Sequence, residues 1–431
     1  MARQNRCGMA AAALAAFSLA ISGTKAEYTI RPLSPDGART WAHGVNSLGH
    51  VAGEWDTPGM TAAFWGDSGL RSLGYLYRPI QYCYVNNAIS LNDEDQVVGY
   101  QTFRPCLSST ENDTRAFYWA LSTSSMVEIA PTSDFKNTNV SKINNTGIVV
   151  GTMSIPTGTG PSQRAFRWTS AGGMTLIGTL GGATSTAVSI NQAGYVLGQS
   201  MIAGDAAMHT YVLKHDGVLT PEDDFGALPA PGALPVDLND SGQVLFKASV
   251  DIGGGNYYDR AVVASNGQFT QLGYLVNYGN VTPLAINSSG DVVGNALAPG
   301  YQTLAFLNHG NSFRNLNDLL PPGSGWQLQT AEDINDAGQI VGVGILNGTW
   351  RGYIMSPVAP GDVNKDGTVD AADAVLMLQS GAGLLAGVSA RLGDVAPSPS
   401  ADPRGYGDGV VDMLDALRVL RHVSGLESHW P

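Results

Sequence analysis

Charge is scarce in this chain. Only 14% of its 431 residues are Asp, Glu, Lys or Arg, against about 25% in an average protein. That excludes a disordered chain and a coiled coil, which both need far more charge. Basic residues are scarcer still, 23 against 36 acids. The resulting net charge of −13 offers no electrostatic footprint for nucleic acid and no basic patch for anionic lipid. Cysteine is nearly absent, three residues in all, and no His–Cys set has zinc spacing. No Ser-His-Asp order can be argued either. Beyond the N-terminus, no segment approaches the ~20 apolar residues that span a bilayer. What the chain does have is glycine, 54 residues, without the period of three that marks collagen. High glycine, low charge and 43% hydrophobic residues suit many short strands joined by tight turns. Length alone points to two or three domains.

Residues 1–26 read as a signal peptide. Arg3 and Arg6 precede a short apolar run at 7–22, and Thr24-Lys25-Ala26 places small residues at −3 and −1 of a cleavage site. The expectation is export, with an extracellular or cell-surface mature chain. Cys83 and Cys106 then remain as its two cysteines, and export permits a disulfide. They flank a hairpin that turns at Asp93-Glu94-Asp95. A register placing Leu91 opposite Val98 also places Cys83 opposite Cys106, close enough for a bond.

One pattern recurs seven times between residues 27 and 357: VNSLGHVAG, LNDEDQVVG, INNTGIVVG, INQAGYVLG, LNDSGQVLF, INSSGDVVG and INDAGQIVG. The leading residues are Asn46, Asn92, Asn144, Asn191, Asn239, Asn287 and Asn335, spaced by 46, 52, 47, 48, 48 and 48. A period near 48 is a repeat architecture. Asn heads a turn because its side chain bonds nearby backbone, and the Gly three residues later accepts positive φ. In the second unit Asp95 replaces that Gly.

Each unit reads as four strands: a stretch ending at Asn, the "VVG" run, an aromatic strand, and a strand ending in LGYL or IGTL. That is the size of a propeller blade. The seventh unit lacks a fourth strand, and YTIRPL at 28–33 precedes the first repeat as an orphan. The expected fold is therefore all-β, a seven-bladed propeller over 27–356. The N-terminal strand closes it and leaves no open blade edge. Trp65, Trp119 and Trp168 recur at one repeat position, which indicates blade packing.

These units resemble the extracellular HAF repeats of bacteria, although the His of that tripeptide is not kept. The positions read Ala-Ala-Phe at 62–64, Arg-Ala-Phe at 115–117 and 164–166, and Leu-Ala-Phe at 304–306. The resemblance implies no defined activity. Asp237, Asp333 and Glu332 are the carboxylates a sugar hydrolase could gather in one pocket. Asp93, Asp240 and Asp336 directly follow the repeated Asn, where Asp serves turn chemistry.

Acid concentrates at the C-terminus, with ten acids against five bases in 361–431. After a short linker at 357–360, residues 362–373 read DVNKDGTVDAAD. Asp362, Asn364, Asp366, Asp370 and Asp373 fall at loop positions 1, 3, 5, 9 and 12, Thr368 offers its carbonyl at 7, and Gly367 allows the turn. This is EF-hand-type spacing for Ca²⁺. A second copy places Asp394, Asp408, Val410, Asp412 and Asp415 at positions 1, 5, 7, 9 and 12, with ten residues inserted. An apolar face of Leu414, Leu417, Leu420 and Val423 follows on a helix.

Two loop–helix calcium units resemble a type I dockerin, here spanning residues 361–426 of a tail at 361–431. The resemblance implies Ca²⁺ as cofactor and a cohesin-type module or scaffold protein as partner. Partner choice then falls on Ala371 and Ala372 in the first unit and Met413 and Leu414 in the second. It also implies a setting of polysaccharide catabolism, which makes a polysaccharide a further candidate ligand. Two readings stay open: a non-enzymatic binding or scaffold propeller displayed by the tail, and a hydrolase of O-glycosyl bonds that uses propeller carboxylates.

Overall fold

The computed structural model describes residues 28–359 except 35–36, 58, 77–81, 106–112, 131–135, 158–159, 206, 275–278, 301 and 322. Beyond these it describes 361–364, 369–382, 384, 395, 411 and 413–426. The expected signal peptide lies outside the described residues.

The seven units form seven antiparallel sheets in chain order. Blade 1 is built from Thr40–Val45, Val51–Thr57, Gly59–Gly66 and Gly69–Ser72. Blades 2, 3, 5 and 6 repeat this four-strand plan. Blade 4 has three strands, Gly181–Ile190, Val196–Ile202 and Met208–Leu213. Blade 7 takes three strands from its own unit and its fourth from Tyr28–Pro32, which pairs from Tyr28 opposite Pro357 to Pro32 opposite Tyr353. The N-terminal strand therefore closes the ring, as the orphan YTIRPL predicts. The last strand reaches Pro357, one residue past the expected boundary. The fourth strand of blade 3 ends within IGTL, at Gly178, but the LGYL segments lie beyond theirs, which end at Ser72 and Gln271. Leu73 and Leu272 follow theirs as buried plugs, their N–H groups held by Ala62 and Ala261 carbonyls at 3.0 and 2.9 Å.

The core is not one mass but seven wedges. Each buried apolar cluster of the ring is shared by two neighbouring blades, from Leu33, Val45 and Val51 against Val341 and Ile354 round to Leu328 and Ala331 against Ala305 and Leu307. The aromatic third strands feed these wedges. Phe64, Phe117, Phe166 and Phe306 are at most 1% exposed, each stabilising by about 1.5–3 kcal/mol. Trp65, Trp119 and Trp168 are buried with them.

The glycine that ends most "VVG" runs sits where the inner strand crowds the second strand. A Cβ on Gly99, Gly198 or Gly294 would lie 1.9–2.2 Å from an inner-strand carbonyl and 2.9 Å or less from the ring of Phe117, Tyr211 or Phe306. Blade 5 exchanges the two sizes. Phe246 stands where the others have Gly, and its cross-strand partner is Val262, where all the others but blade 1 have an aromatic.

Every inner strand slips register just before the residue two ahead of its Asn, and those of blades 3, 4 and 7 slip once more upstream. Such a bulge adds an unpaired residue and re-aims the next side chain. It also overturns the Cys83–Cys106 register. Leu91 pairs with Val97, the bulge at Ile89 shifts the ladder again, and Cys83 pairs with Arg104. Cys106 lies outside the described residues, and no disulfide is found among the described ones.

In the tail, helices α1 (Ala371–Gly381) and α2 (Met413–Val423) pack through Ala374 and Met377 against Ala416 and Val419. Each residue has its counterpart at the same offset in the other unit, as do Val369 and Val411 beside them. The expected apolar face of α2 points the other way. Leu414, Leu417, Leu420 and Val423 are 38–59% exposed, while Asp415, Ala416, Arg418 and Val419 are buried. Burial of the position-12 carboxylate sets the rotation of the helix and turns the leucines outward. No helix among the described residues is long and apolar enough to cross a membrane.

Candidate functional site

The repeated asparagines sit at one end of the propeller axis, all buried. Each Oδ1 accepts N–H groups of its own turn, as Asn46 does from Leu48 and His50 at 3.1 and 2.9 Å. Each Nδ2 crosses to the next blade and donates to the main-chain carbonyl of the next asparagine. The series runs Asn46 to Asn92, Asn144, Asn191, Asn239, Asn287 and Asn335, then back to Asn46, at 2.8–3.2 Å. Seven side chains thus form a closed circle around the axis.

A second circle lies one residue on. Asp93, Asn145, Gln192, Asp240 and Asp336 each accept the main-chain N–H of the equivalent residue in the preceding blade, at 2.8–3.0 Å. The two remaining steps fall where the acceptor position is Ser47 or Ser288, whose hydroxyls are shorter. Asp93, Asp240 and Asp336 are therefore stapling residues, in keeping with their turn chemistry.

Asp95 explains its own exception to the glycine pattern. It holds φ +52, and its Oδ1 lies 3.1 Å from Asn46 Nδ2 and 2.7 Å from His50 Nδ1. A glycine there would leave both groups of blade 1 without that carboxylate. His50, inside the first repeat motif, is a site residue that sequence reading passed over.

The residues two before each Asn, re-aimed by the bulges, are Gly44, Ser90, Lys142, Ser189, Asp237, Ala285 and Asp333. They bring Asp237 and Asp333 together at the floor of an axial cavity of about 180 Å³, with Ser90 and Lys142 beside them. Lys142 was not anticipated, although it shares their offset from Asn. Its Nζ donates to Asp237 Oδ1 at 2.6 Å. Asp237 Oδ1 also accepts from Ser189 Oγ at 2.6 Å and Leu238 N at 2.9 Å, and Oδ2 from Ile286 N at 3.2 Å. Asp333 repeats the arrangement two seams on, with Ile334 N and Val45 N each at 2.9 Å. Both carboxylates bridge the N–H of their own strand and that of the next blade. Glu332, the bulged residue, is half-buried and bears on His43 instead.

Electrostatics follow the burial. Burial pushes the Asp333 carboxyl up to about 6, against the opposing pull of Lys142 and its two N–H donors. Burial alone would lower the Lys142 ammonium, but the charges of Asp237 and Asp333 hold it above its ordinary value. None of the described residues lining the cavity is aromatic, so those residues offer no stacking platform for a sugar ring there.

The tail shows a second constellation. Asp373, fully buried, accepts from Val363 N, Asn364 N and Asp370 N at 2.8, 3.0 and 2.9 Å. Asp415, 1% exposed, accepts from Val395 N at 2.7 Å. Val395 follows Asp394 as Val363 follows Asp362, so both units tie position 12 to position 2. Asp362 is 1% exposed, Asn364 is exposed, and Asp370 caps α1 through Ala372 N at 2.7 Å. Asp366, Thr368, Asp394, Asp408, Val410 and Asp412 lie outside the described residues. Among those described, no three His, Cys, Asp or Glu side chains converge on a metal-sized site. Ala371, Ala372, Met413 and Leu414 are all exposed.

No family model matches the chain, and no curated protein matches it. Among solved structures it is similar to an oligogalacturonate lyase in complex with manganese, at 9% identity over 77% of this chain and 94% of that one, TM-score 0.50. It is also similar to an oligogalacturonate lyase from Vibrio parahaemolyticus (9%, 76% and 93%, TM-score 0.47). A third is the β-propeller domain of the Trilobed protease from Pyrococcus furiosus (10%, 64% and 86%, TM-score 0.43). Likeness at this identity shows the propeller fold, and a fold hosts many activities.

Proposed function

We propose that this chain is a secreted, non-enzymatic propeller of the HAF-repeat kind, a binding or scaffold module carried by a calcium-binding dockerin-type tail. The observation that carries the reading is the commitment of the axial carboxylates. Asp237 holds four donors and Asp333 two. Both join blades, which leaves neither placed as a free nucleophile or base.

The tail supports the second half of the reading. Carboxylates at positions 1 and 12 of the first loop and 12 of the second are almost fully buried, and buried carboxylates call for a cation. The donor set of hard oxygens fits Ca²⁺. Asp362, Asn364, Asp366, Thr368, Asp370 and Asp373 would hold one ion, and Asp394, Asp408, Val410, Asp412 and Asp415 a second. The bound ion supplies folding energy. Ala371, Ala372, Met413 and Leu414, exposed on the two helices, supply the contact surface for a cohesin-type module within polysaccharide-degrading assemblies.

A second reading, a glycoside hydrolase, has one observation in its favour: an Asp333 carboxyl raised to about 6 beside Asp237, which is the range of a general acid. Reducing-sugar release from a polysaccharide panel decides between them. The proposal expects no turnover above background from the wild type. Turnover that D333N abolishes while the ring stays folded would establish the hydrolase.

A further inference from the structure

Blade 1 differs from the other six in what holds it to its neighbours. On the side facing blade 7, His43 Nε2 lies 3.2 Å from Glu54 Oε1 of its own blade, the charge of Glu332 of blade 7 bears on the same ring, and Val45 N rests on Asp333 of blade 7. Toward blade 2, His50 Nδ1 lies 2.7 Å from Asp95 and Nε2 3.2 Å from Asp67. Among the described histidines, His209, His215 and His309 pair with carboxylates of their own blade or its following loop, and His422 belongs to the tail. Both seams of blade 1, and no others among those described, carry an imidazole between carboxylates. One of them is the seam at which the ring closes.

We propose that blade 1 is held by two proton-dependent seams, so that the ring is tightest in mild acid and loosens at blade 1 as the pH rises. Three groups act in one direction. Burial alone would lower His43, but its bond to Glu54 and the charges of Glu54 and Glu332 leave it raised above 6.5. Burial also opposes His50, and its bonds to Asp95 and Asp67 leave it raised. Asp95 is the weightier partner, because Asp67 is 99% exposed and screened. Asp333, facing Lys142 and Asp237, is raised by burial to about 6.

Each group binds its proton more tightly in the folded ring than in the unfolded chain. Stability therefore falls as the pH rises through the folded-state values. The histidine contribution is complete below about 6.5 and is lost above it. That of Asp333 is complete below about 4 and is lost through about 6. Lys142 stays charged throughout, so it does not reverse the sign.

Amide hydrogen exchange on the full-length chain at pH 6 and pH 8, corrected for intrinsic exchange rate, tests this. Protection of Thr40–Thr57 should fall severalfold relative to Val244–Ser265 in blade 5, and H43Q and H50Q should each reduce the difference. Equal loss in both blades, or greater protection of blade 1 at pH 8, overturns the proposal. If either variant fails to fold, the titration of the two imidazole Cε1–H signals in the wild type replaces it. Midpoints at or below about 6.5 would overturn the proposal equally.

Discussion

The side-chain amide of Asn335 donates to the main-chain carbonyl of Asn46 over 2.8 Å, across 289 residues of sequence. It is the bond that turns a series of six equivalent links into a circle. The Tyr28–Pro32 strand closes the ring at its perimeter, and this amide closes it at the axis. An open array of the same repeats would leave Asn335 Nδ2 with only Gln339 Oε1, its second partner at 2.8 Å.

Replacing Asn335 separates these roles. N335A removes the turn acceptor and the axial donor together and should cost about 1–3 kcal/mol, the usual penalty for stranding buried partners. N335D keeps the turn acceptor and sets a carboxylate against the Asn46 carbonyl. A comparable loss for N335D in urea unfolding would place most of the stabilisation in the inter-blade bond.

Deleting residues 28–32 leaves Thr349–Pro357 as an open edge and uncovers Tyr353 and Met355, which the strand now pairs and covers. The expected outcome is loss of the single cooperative melt. A truncated chain that melts cooperatively near the wild-type temperature would contradict closure.

Asp237 should behave as half of a buried ion pair. D237A strands Lys142, Ser189 Oγ and two main-chain N–H groups and should cost about 3–5 kcal/mol. K142M with D237A should cost less than the two single changes added together, because neither charge is then left alone. Additive costs in this cycle would show that the pair is not coupled.

Much of this was legible in the sequence. Seven asparagines at a near-constant period gave the blade count, and YTIRPL ahead of the first repeat gave the closure. The axial circle was not legible, because an Asn bonding its own turn and an Asn reaching the next blade look identical in one dimension. The inner-strand bulges were equally silent, since nothing in Ile89 or Ser141 marks an extra residue. The slip at Ile89, added to a turn register already one residue off, misplaced Cys83, and the slip at Ser141 concealed Lys142, whose distance from Asn144 equals that of Asp237 from Asn239. In the tail, Leu414, Leu417, Leu420 and Val423 have the spacing of a core face. The buried Asp415 fixes the rotation of the helix and puts Ala416 and Val419 inward instead.

Two devices share this chain: a ring held by its own side chains and a tail whose buried carboxylates we propose are held by calcium. Hydrogen exchange on the full-length chain, with calcium and then with excess chelator, tests that division most directly. The account predicts that α1 and α2 lose their protection in chelator while Thr40–Pro357 keeps its own. Unchanged protection of both helices without calcium, or loss of protection across the ring, would contradict it.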